Sequence, residues 1–146
     1  MRLEITRKSD LAVRAIAALA KLGRLKGAQL AEMLGTTPGF MAQVMAPLTR
    51  AGFVGSEPGP TGGYVLLVPA ESLSVLDVIE AVEGPTVTGR CVLTGGRCPE
   101  ESETCALHDA WLPARAALLE RLASTPVVVA VRRDGVPVNR LTEVGS

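Results

Sequence analysis

Residues 37–68, TPGFMAQVMAPLTRAGFVGSEPGPTGGYVLLV, predict one helix followed by two short strands. Thr37 can cap this helix, and Pro38 suits its first position, where no backbone N–H is needed. One face of the helix carries apolar residues at helical spacing, namely Met41, Val44 and Leu48. The other face points outward and holds Gly39, Ala42, Gln43, Ala46 and Arg50. Pro47 lacks the N–H that the helix needs, so a kink or an early end near Ala46 is expected.

The two strands are predicted at residues 53–54 and 64–68, with the glycine- and proline-rich loop 55–63 between them. Two strands joined by such a loop form a wing. Three helices followed by a wing are the parts of a winged helix-turn-helix, whose third helix enters the major groove of DNA. Small units with the same parts also serve as protein-interaction modules.

The other two helices of this unit precede residue 37. Apolar residues spaced by three and four predict an amphipathic helix that Ser9 caps and Gly23 ends. A second, short helix is expected over residues 28–34, with Gly35 supplying the break.

Downstream, Ser74 and Asp77 form a capping-box variant that opens a further helix, which Gly84 closes. Its expected buried residues are Val75, Val78, Ile79 and Val82. Residues 86–104 show no regular pattern, and loops this long inside a small domain usually have a function.

A last helix is predicted from Cys105 to about Ala123, with Pro113 expected to bend it. Its apolar seam is formed by Leu107, Trp111, Ala114, Leu118 and Leu122. A second copy in a two-fold dimer is the simplest cover for this seam, and packing back on its own domain is the alternative. The valine-rich tail, 124–146, predicts either a weak hairpin or a frayed end.

The predicted fold class is therefore mainly α with a small β wing. A winged helix-turn-helix domain spans residues 1–85, a cysteine-bearing loop 86–104 and a long dimerisation helix 105–123. The 146 residues fit one domain with an appendage, and 47% apolar with 3% aromatic residues predict an aliphatic core. No apolar run reaches the roughly 18 residues of a membrane span, so a soluble, cytoplasmic protein without a membrane partner is expected.

The net charge is zero, which alone argues against a nucleic-acid partner, but the charges are unevenly distributed. Residues 1–68 carry eight basic and four acidic groups, and residues 69–123 carry four basic and nine acidic groups. The first part can therefore face phosphate, although ordinary surface variation can produce such a swing. Nothing in the chain forms a Ser-His-Asp set, a phosphate-binding loop or a C-x-x-C motif, so no enzyme is predicted.

Cys91, Cys98 and Cys105 are the only cysteines, and six residues separate each from the next. An odd number of cysteines in a cytoplasmic chain argues against structural disulfides, whereas clustered thiolates can hold zinc or an iron–sulfur cluster. His108 follows Cys105 by one helical turn and is a candidate fourth ligand, or else an ordinary surface or capping histidine. Asp10 is a second candidate, although an acid in the first turn of a helix is also favoured by the helix dipole.

Several segments together resemble the Rrf2 family of bacterial transcription regulators, over about residues 1–123. They are the amino-terminal SDLAVRAI, the wing GPTGGYVLL, the helix VLDVIEAVEG and the cysteine loop that leads into CALHDAW. The resemblance implies a homodimer that binds a palindromic operator in double-stranded DNA and carries one iron–sulfur cluster per subunit. Loss or oxidation of such a cluster by nitric oxide, redox stress or altered iron–sulfur status would control operator binding, most simply as a repressor.

Members of that family differ in the fourth ligand of the cluster. In the IscR arrangement a histidine placed like His108 accompanies a 2Fe-2S cluster. In the NsrR arrangement an aspartate placed like Asp10 comes from the other subunit and accompanies a 4Fe-4S cluster, and the SDLAVRAI segment favours this second arrangement. The alternative to cluster sensing is a winged-helix regulator with a structural zinc or with cluster-free thiols.

The resemblance also implies DNA contacts from the third helix and the wing: Thr37, Gly39, Gln43, Arg50, Thr61, Gly62, Gly63 and Tyr64. Gln43 matches a base-contacting glutamine. Gly39 and Ala42 replace the serine and glutamate that accompany this glutamine in IscR, and Pro58 replaces a wing arginine. A different operator with fewer direct base contacts is therefore expected. The cysteine gaps are also one residue longer than in most familiar members, so the cluster type need not carry over.

Overall fold

The computed structural model of the protein describes residues 4–97 and 105–130. Within them, the chain forms five α-helices, a two-stranded sheet and one 3₁₀ turn. The helices are α1 (Arg7–Leu22), α2 (Gly27–Met33), α3 (Pro38–Arg50), α4 (Val75–Glu83) and α5 (His108–Ser124). The strands are β1 (Val54–Glu57) and β2 (Gly63–Leu66), and the 3₁₀ turn is Ala70–Ser72. The expected class, mainly α with a small β wing, is confirmed.

An aliphatic core lies between α1, α3 and α4, as the composition predicted. The residues predicted to be buried in α3, Met41, Val44 and Leu48, are fully enclosed. In α4, Val75, Val78 and Ile79 are buried, while Val82 is only half-buried. Packing on this core orients α3 so that its other face, which carries Gln43 and Arg50, lies on the surface.

The start of α1 differs from the prediction. Thr6, not Ser9, caps the helix, since the Thr6 hydroxyl accepts a hydrogen bond from the Ser9 backbone N–H at 3.1 Å. Ser9 is instead fully buried, and its hydroxyl donates to the Glu83 carboxylate at the end of α4. The Thr6 hydroxyl donates to the same carboxylate oxygen. A polar link therefore joins the first turn of α1 to the last turn of α4.

Of the kink or early end expected near Ala46, the early end does not occur, because α3 continues through Pro47 to Arg50. Proline fits the φ angle of a helix and removes only one backbone donor. Both Pro47 and Leu48 are buried, and the free energy of burying them offsets the missing hydrogen bond. The last turn keeps its bonds, including one from the Ala51 N–H to the Pro47 carbonyl at 3.0 Å.

The wing is an antiparallel hairpin in which Val54 pairs with Leu66 and Glu57 with Gly63. Leu25, in the loop after α1, pairs with Tyr64 and extends the sheet by one bridge. Arg24 next to it forms an ion pair with Glu57 at 2.6 Å. The wing is thereby fastened to the helical unit at its base.

The capping box at Ser74 and Asp77 forms as predicted and opens α4. The beginning of the tail packs onto the same region, because the Val127 N–H donates to the Leu73 carbonyl at 2.8 Å. Val127 is fully buried in the core. No sequence pattern indicated this contact. Residues 131–146, the rest of the tail for which a weak hairpin or a frayed end was predicted, lie outside the described residues.

Helix α5 begins at His108, three residues later than predicted, because residues 105–107 form a turn. It packs against α4, yet none of its residues is buried. Several large apolar side chains of this region stay exposed, namely Leu107, Leu112 and Leu118. This monomer therefore leaves much of the predicted seam uncovered, and its dimeric cover stays a prediction.

We expect Gly63→Ala to destabilise the protein by roughly 1–3 kcal/mol. Gly63 has a φ of +130°, and an added Cβ would lie 2.7 Å from the Leu25 carbonyl oxygen. Urea unfolding of the metal-free protein measures the loss. Gly96→Ala is the control, because Gly96 lies outside the left-handed φ region and its added Cβ would make only an ordinary contact of 3.8 Å with the Thr94 hydroxyl oxygen, so its unfolding midpoint should stay near that of the wild type. Equal midpoints for the two variants would contradict the prediction.

Candidate nucleic-acid interface and candidate metal centre

The outer face of α3 is exposed as the sequence predicted. Gly39, Gln43 and Arg50 all lie on the surface, with Ala42 and Ala46 between them. Thr37 is exposed too, and its hydroxyl caps α3 by accepting from the Phe40 N–H at 3.2 Å. These side chains stand on the helix that a winged helix-turn-helix places in the major groove.

The four predicted contact residues of the wing differ in exposure. Thr61 is exposed at the tip, Gly63 and Tyr64 are half-buried, and Gly62 is buried. A Cβ on Gly62 would lie 2.1 Å from the Glu57 carbonyl oxygen, so this glycine has a steric role in closing the hairpin. Of the four, Thr61 is therefore the side chain best placed to reach a partner.

Arg7 supports the helix-turn-helix in a way that the sequence analysis missed. Its guanidinium donates to the Gly35 carbonyl in the turn between α2 and α3, at 3.3 Å. Arg7 is also one of the eight basic residues counted above in residues 1–68. No sequence pattern marks the contact, because 28 residues separate the two partners.

The described part of the cysteine loop folds back on itself between residues 90 and 97. The Cys91 N–H donates to the Gly96 carbonyl at 2.7 Å, and the Gly95 N–H donates to the Cys91 carbonyl at 2.9 Å. Arg90 and Arg97 pair as an antiparallel bridge. This closed turn holds Cys91 at its base, where the side chain is only 8% exposed.

Hydrogen bonds to its sulfur lower the pKa of Cys91 from an ordinary 9.0 to about 6. The Thr94 N–H contributes most, followed by the Thr94 hydroxyl, the Leu93 N–H and the Cys105 thiol, while burial acts weakly in the opposite direction. The thiolate therefore predominates at neutral pH, and its stabilising effect on the fold is lost as the pH falls through about 6. A thiolate is the form that binds metal and attacks electrophiles.

The Cys91 and Cys105 thiols are therefore in contact, although 14 positions separate the two residues in the chain. They share a pocket of about 240 Å³ with His108 and Trp111 of α5. The rest of its lining is Gly89, Arg90, Val92, Arg97, Leu112 and Arg115. The cysteines and the histidine were predicted from the sequence, whereas the three arginines were not, because they have no motif of their own.

Of the other two predicted ligands, only Asp10 lies in the described part of the chain, and it does not line this pocket. Cys98 lies outside the described residues. Asp10 stands on α1 and forms an ion pair with Arg14 at 3.0 Å, with its side chain 39% exposed. Among the residues that the structure describes, no group of three or more histidine, cysteine or acidic side chains is close enough together to hold a metal ion.

The donor chemistry of the pocket nevertheless suits a soft metal centre. Two thiols in contact and one imidazole are ligands that zinc and iron–sulfur clusters share. The third cysteine belongs to the segment that connects the other two, so the loop can bring it to the same place.

Comparison with known proteins places the fold among transcription regulators. The HTH-type protein Rv1287 of Mycobacterium tuberculosis is 31% identical over 84% of this chain and 78% of its own length. The transcriptional regulator IscR of Escherichia coli is 32% identical over 75% of this chain and 68% of its own. The oxidised form of Staphylococcus aureus CymR is 29% identical, covers 86% of this chain and 94% of its own, and superposes with a TM-score of 0.67.

The fold and these relatives define a winged-helix transcription regulator that binds DNA. A family model described as Rrf2, iron-dependent transcriptional regulator, matches residues 5–132. The chain belongs to the Rrf2 family, as the sequence segments predicted. In the described ranges, none of the helices has the length and apolar character needed to cross a bilayer.

We expect Thr94→Val to raise the pKa of Cys91, because valine removes the hydroxyl donor and keeps the backbone N–H. The alkylation rate of Cys91 by iodoacetamide, followed against pH in metal-free protein by peptide mass mapping, reports this pKa. Its midpoint should lie near pH 6 in the wild type. It should move upward in Thr94→Val. Thr88→Val, at an exposed position in the first part of the same loop, is the control, and a wild-type midpoint near 9 would refute the assignment.

Proposed function

We propose that this regulator is a repressor whose operator binding is controlled by an iron–sulfur cluster, sensing nitric oxide, redox stress or iron–sulfur status. Cys91, Cys98 and Cys105 would hold the cluster. The observation that carries the proposal is the contact between the Cys91 and Cys105 thiols beside His108 in one pocket. The description of the family as iron-dependent supports the same conclusion.

Two residues compete for the fourth position. His108 lines the pocket of its own chain, which supports a ligand set from a single subunit. Asp10 from the partner subunit is the ligand that the sequence favours, because the SDLAVRAI segment resembles the NsrR arrangement, which goes with a 4Fe-4S cluster. The Asp10 carboxylate is half-exposed, and within residues 4–97 and 105–130 its ion pair is with Arg14 of its own helix, so it can be approached from outside the chain.

Iron–sulfur clusters supply a centre that nitric oxide, oxygen and peroxide degrade. The chain's own residues connect the loop that would hold it to the DNA-reading half. The loop starts directly after α4, whose last residue, Glu83, accepts hydrogen bonds from the Thr6 and Ser9 hydroxyls of α1. It ends at α5, which packs on α4. A change in loop conformation therefore acts on helices that share a core with α3.

A homodimer on a palindromic DNA duplex completes the proposal. The exposed Leu107, Leu112 and Leu118 give α5 an apolar surface that a second copy can cover. Two copies would present two α3 helices to the two halves of an operator.

A regulator that responds through cluster-free thiols is the second candidate. Its support is the low pKa of the Cys91 thiol and its contact with Cys105, together with the existence of an oxidised form of the similar CymR structure. A structural zinc on the same cysteines is the variant of this candidate in which the site only stabilises the loop.

Protein purified without air should be brown and contain iron and acid-labile sulfide. Nitric oxide should bleach its visible absorption and change operator binding in parallel, because both depend on the same centre. Cys91→Ala should lose the iron and the response to nitric oxide. A colourless anaerobic protein that takes up only zinc would rule out the cluster.

The same absorption spectrum separates the two fourth ligands. His108→Ala should alter the spectrum and the retention of iron if the ligand set lies within one chain, and Asp10→Ala should do so if the partner contributes. Asp109→Asn is the matched control, since Asp109 is the exposed neighbour of His108. Unchanged spectra in both ligand variants would exclude both residues.

Two substitutions on α3 test the DNA interface with duplexes selected from a random-sequence library. Arg50→Ala should weaken all duplexes about equally and reduce the slope of log affinity against log salt by about one unit. Gln43→Ala should instead relax discrimination at one position, by about 1–3 kcal/mol. Arg121→Ala on α5 is the control, and equal loss from all three variants would contradict this assignment of α3.

A further inference from the structure

We propose that the pocket around Cys91 and Cys105 is also a docking site for small disulfides that carry carboxylates, and that in cluster-free protein the two thiols exchange with them. This inference deepens the thiol-based candidate above, because it names the class of oxidant. It stands on the contact of the two sulfurs and on the arginines around them.

Three guanidinium groups line this one pocket. Arg90 and Arg97 lie at the two ends of the closed turn that holds Cys91. Arg115 comes from α5, where it shares a face with His108 and Trp111 at helical spacing. Residues from both sides of the loop therefore bring positive charge to the same sulfurs.

These arginines have no acidic partner in the described ranges. Ion pairs do form elsewhere in those ranges, between Asp10 and Arg14 and between Arg24 and Glu57. The side chains of Arg90, Arg97 and Arg115 form no hydrogen bond or ion pair there. Since a guanidinium offers a planar pair of donors that matches a carboxylate, the pocket is suited to a carboxylate ligand.

The sulfurs supply the reaction. The Cys91 thiolate attacks one sulfur of the small disulfide, whose S–S bond breaks and releases one thiolate. The Cys105 thiol, which contacts Cys91, then attacks the mixed disulfide and releases the second thiolate. The protein dithiol is oxidised to a disulfide and the small disulfide is reduced; the proton of the Cys105 thiol passes to one of the two released thiolates, and solvent protonates the other.

A preference for anionic disulfides distinguishes this site from an ordinary reactive pair of thiols. Residues 98–104 contain Glu100, Glu101 and Glu103, which lie outside the described residues. The rates at which anionic, neutral and cationic disulfides react with the two sulfurs report the net electrostatic field there, including the contribution of these three glutamates.

The test uses the full chain with Cys98→Ser, freed of metal by a chelator, at low ionic strength. Dithiodiglycolate is the anionic probe, hydroxyethyl disulfide the neutral one and cystamine the cationic one. Each rate of Cys91 modification is measured by mass spectrometry and divided by the rate for urea-unfolded protein, which removes the intrinsic reactivity of each disulfide. We expect dithiodiglycolate to exceed hydroxyethyl disulfide roughly tenfold, and cystamine to be slowest.

Arg115→Gln should reduce the preference for the anion, while Arg121→Gln, on the same helix outside the pocket, should leave it unchanged. Cys105→Ser should accumulate the mixed disulfide on Cys91, since the second step is lost. A rate ratio near one, or faster reaction with cystamine, would overturn the proposal. Circular dichroism of every variant shows that it is folded.

Operator binding of the same samples separates the two ideas. A disulfide that forms with the expected charge preference but leaves operator binding unchanged defeats thiol-based regulation and keeps the docking site. A change in operator binding without charge preference supports thiol-based regulation and defeats the docking site.

Discussion

The carboxylate of Glu83 joins the end of α4 to the start of α1. It lies at the end of α4, directly before the cysteine loop, and accepts hydrogen bonds from the Thr6 and Ser9 hydroxyls at the start of α1. Ser9 is fully buried, so its hydroxyl would be costly without a partner. Because α1 and α3 share the core, the position where the loop begins is fixed relative to α3.

The loop is restrained at its other end as well. Cys105 lies in the turn that leads into α5, and α5 packs back on α4. Contact between the Cys91 and Cys105 thiols therefore closes a path from α4 through the loop to α5. A ligand or a bond on these two sulfurs therefore acts on both α4 and α5. If the loop were fixed at only one end, the same ligand or bond would merely move the free end.

Local patterns predicted the elements of the fold, and the misses came from contacts between distant residues. The caps at Thr37 and Ser74 and the buried face of α3 follow from spacing within one turn. Ser9 was expected to cap α1, but Glu83, 74 positions away, takes its hydroxyl. Pro47 was expected to kink or end α3, but the helix continues to Arg50, and the packing that offsets the missing donor is not visible in the sequence. The burial of Val127 likewise depends on a distant part of the chain, at Leu73.

The candidate site shows the same division. The cysteines and His108 have spacing that points to a metal, but Arg90, Arg97 and Arg115 are ordinary arginines until the fold brings them to one pocket. Sulfurs that hold a cluster are not free to attack a disulfide, so the two proposed uses of the pocket exclude each other at any moment. Loss of the cluster would therefore expose the thiols to the anionic disulfides that the arginines attract. The signal that degrades the cluster would empty the site. Oxidation of the two thiols by an anionic disulfide would then determine whether a new cluster can form there.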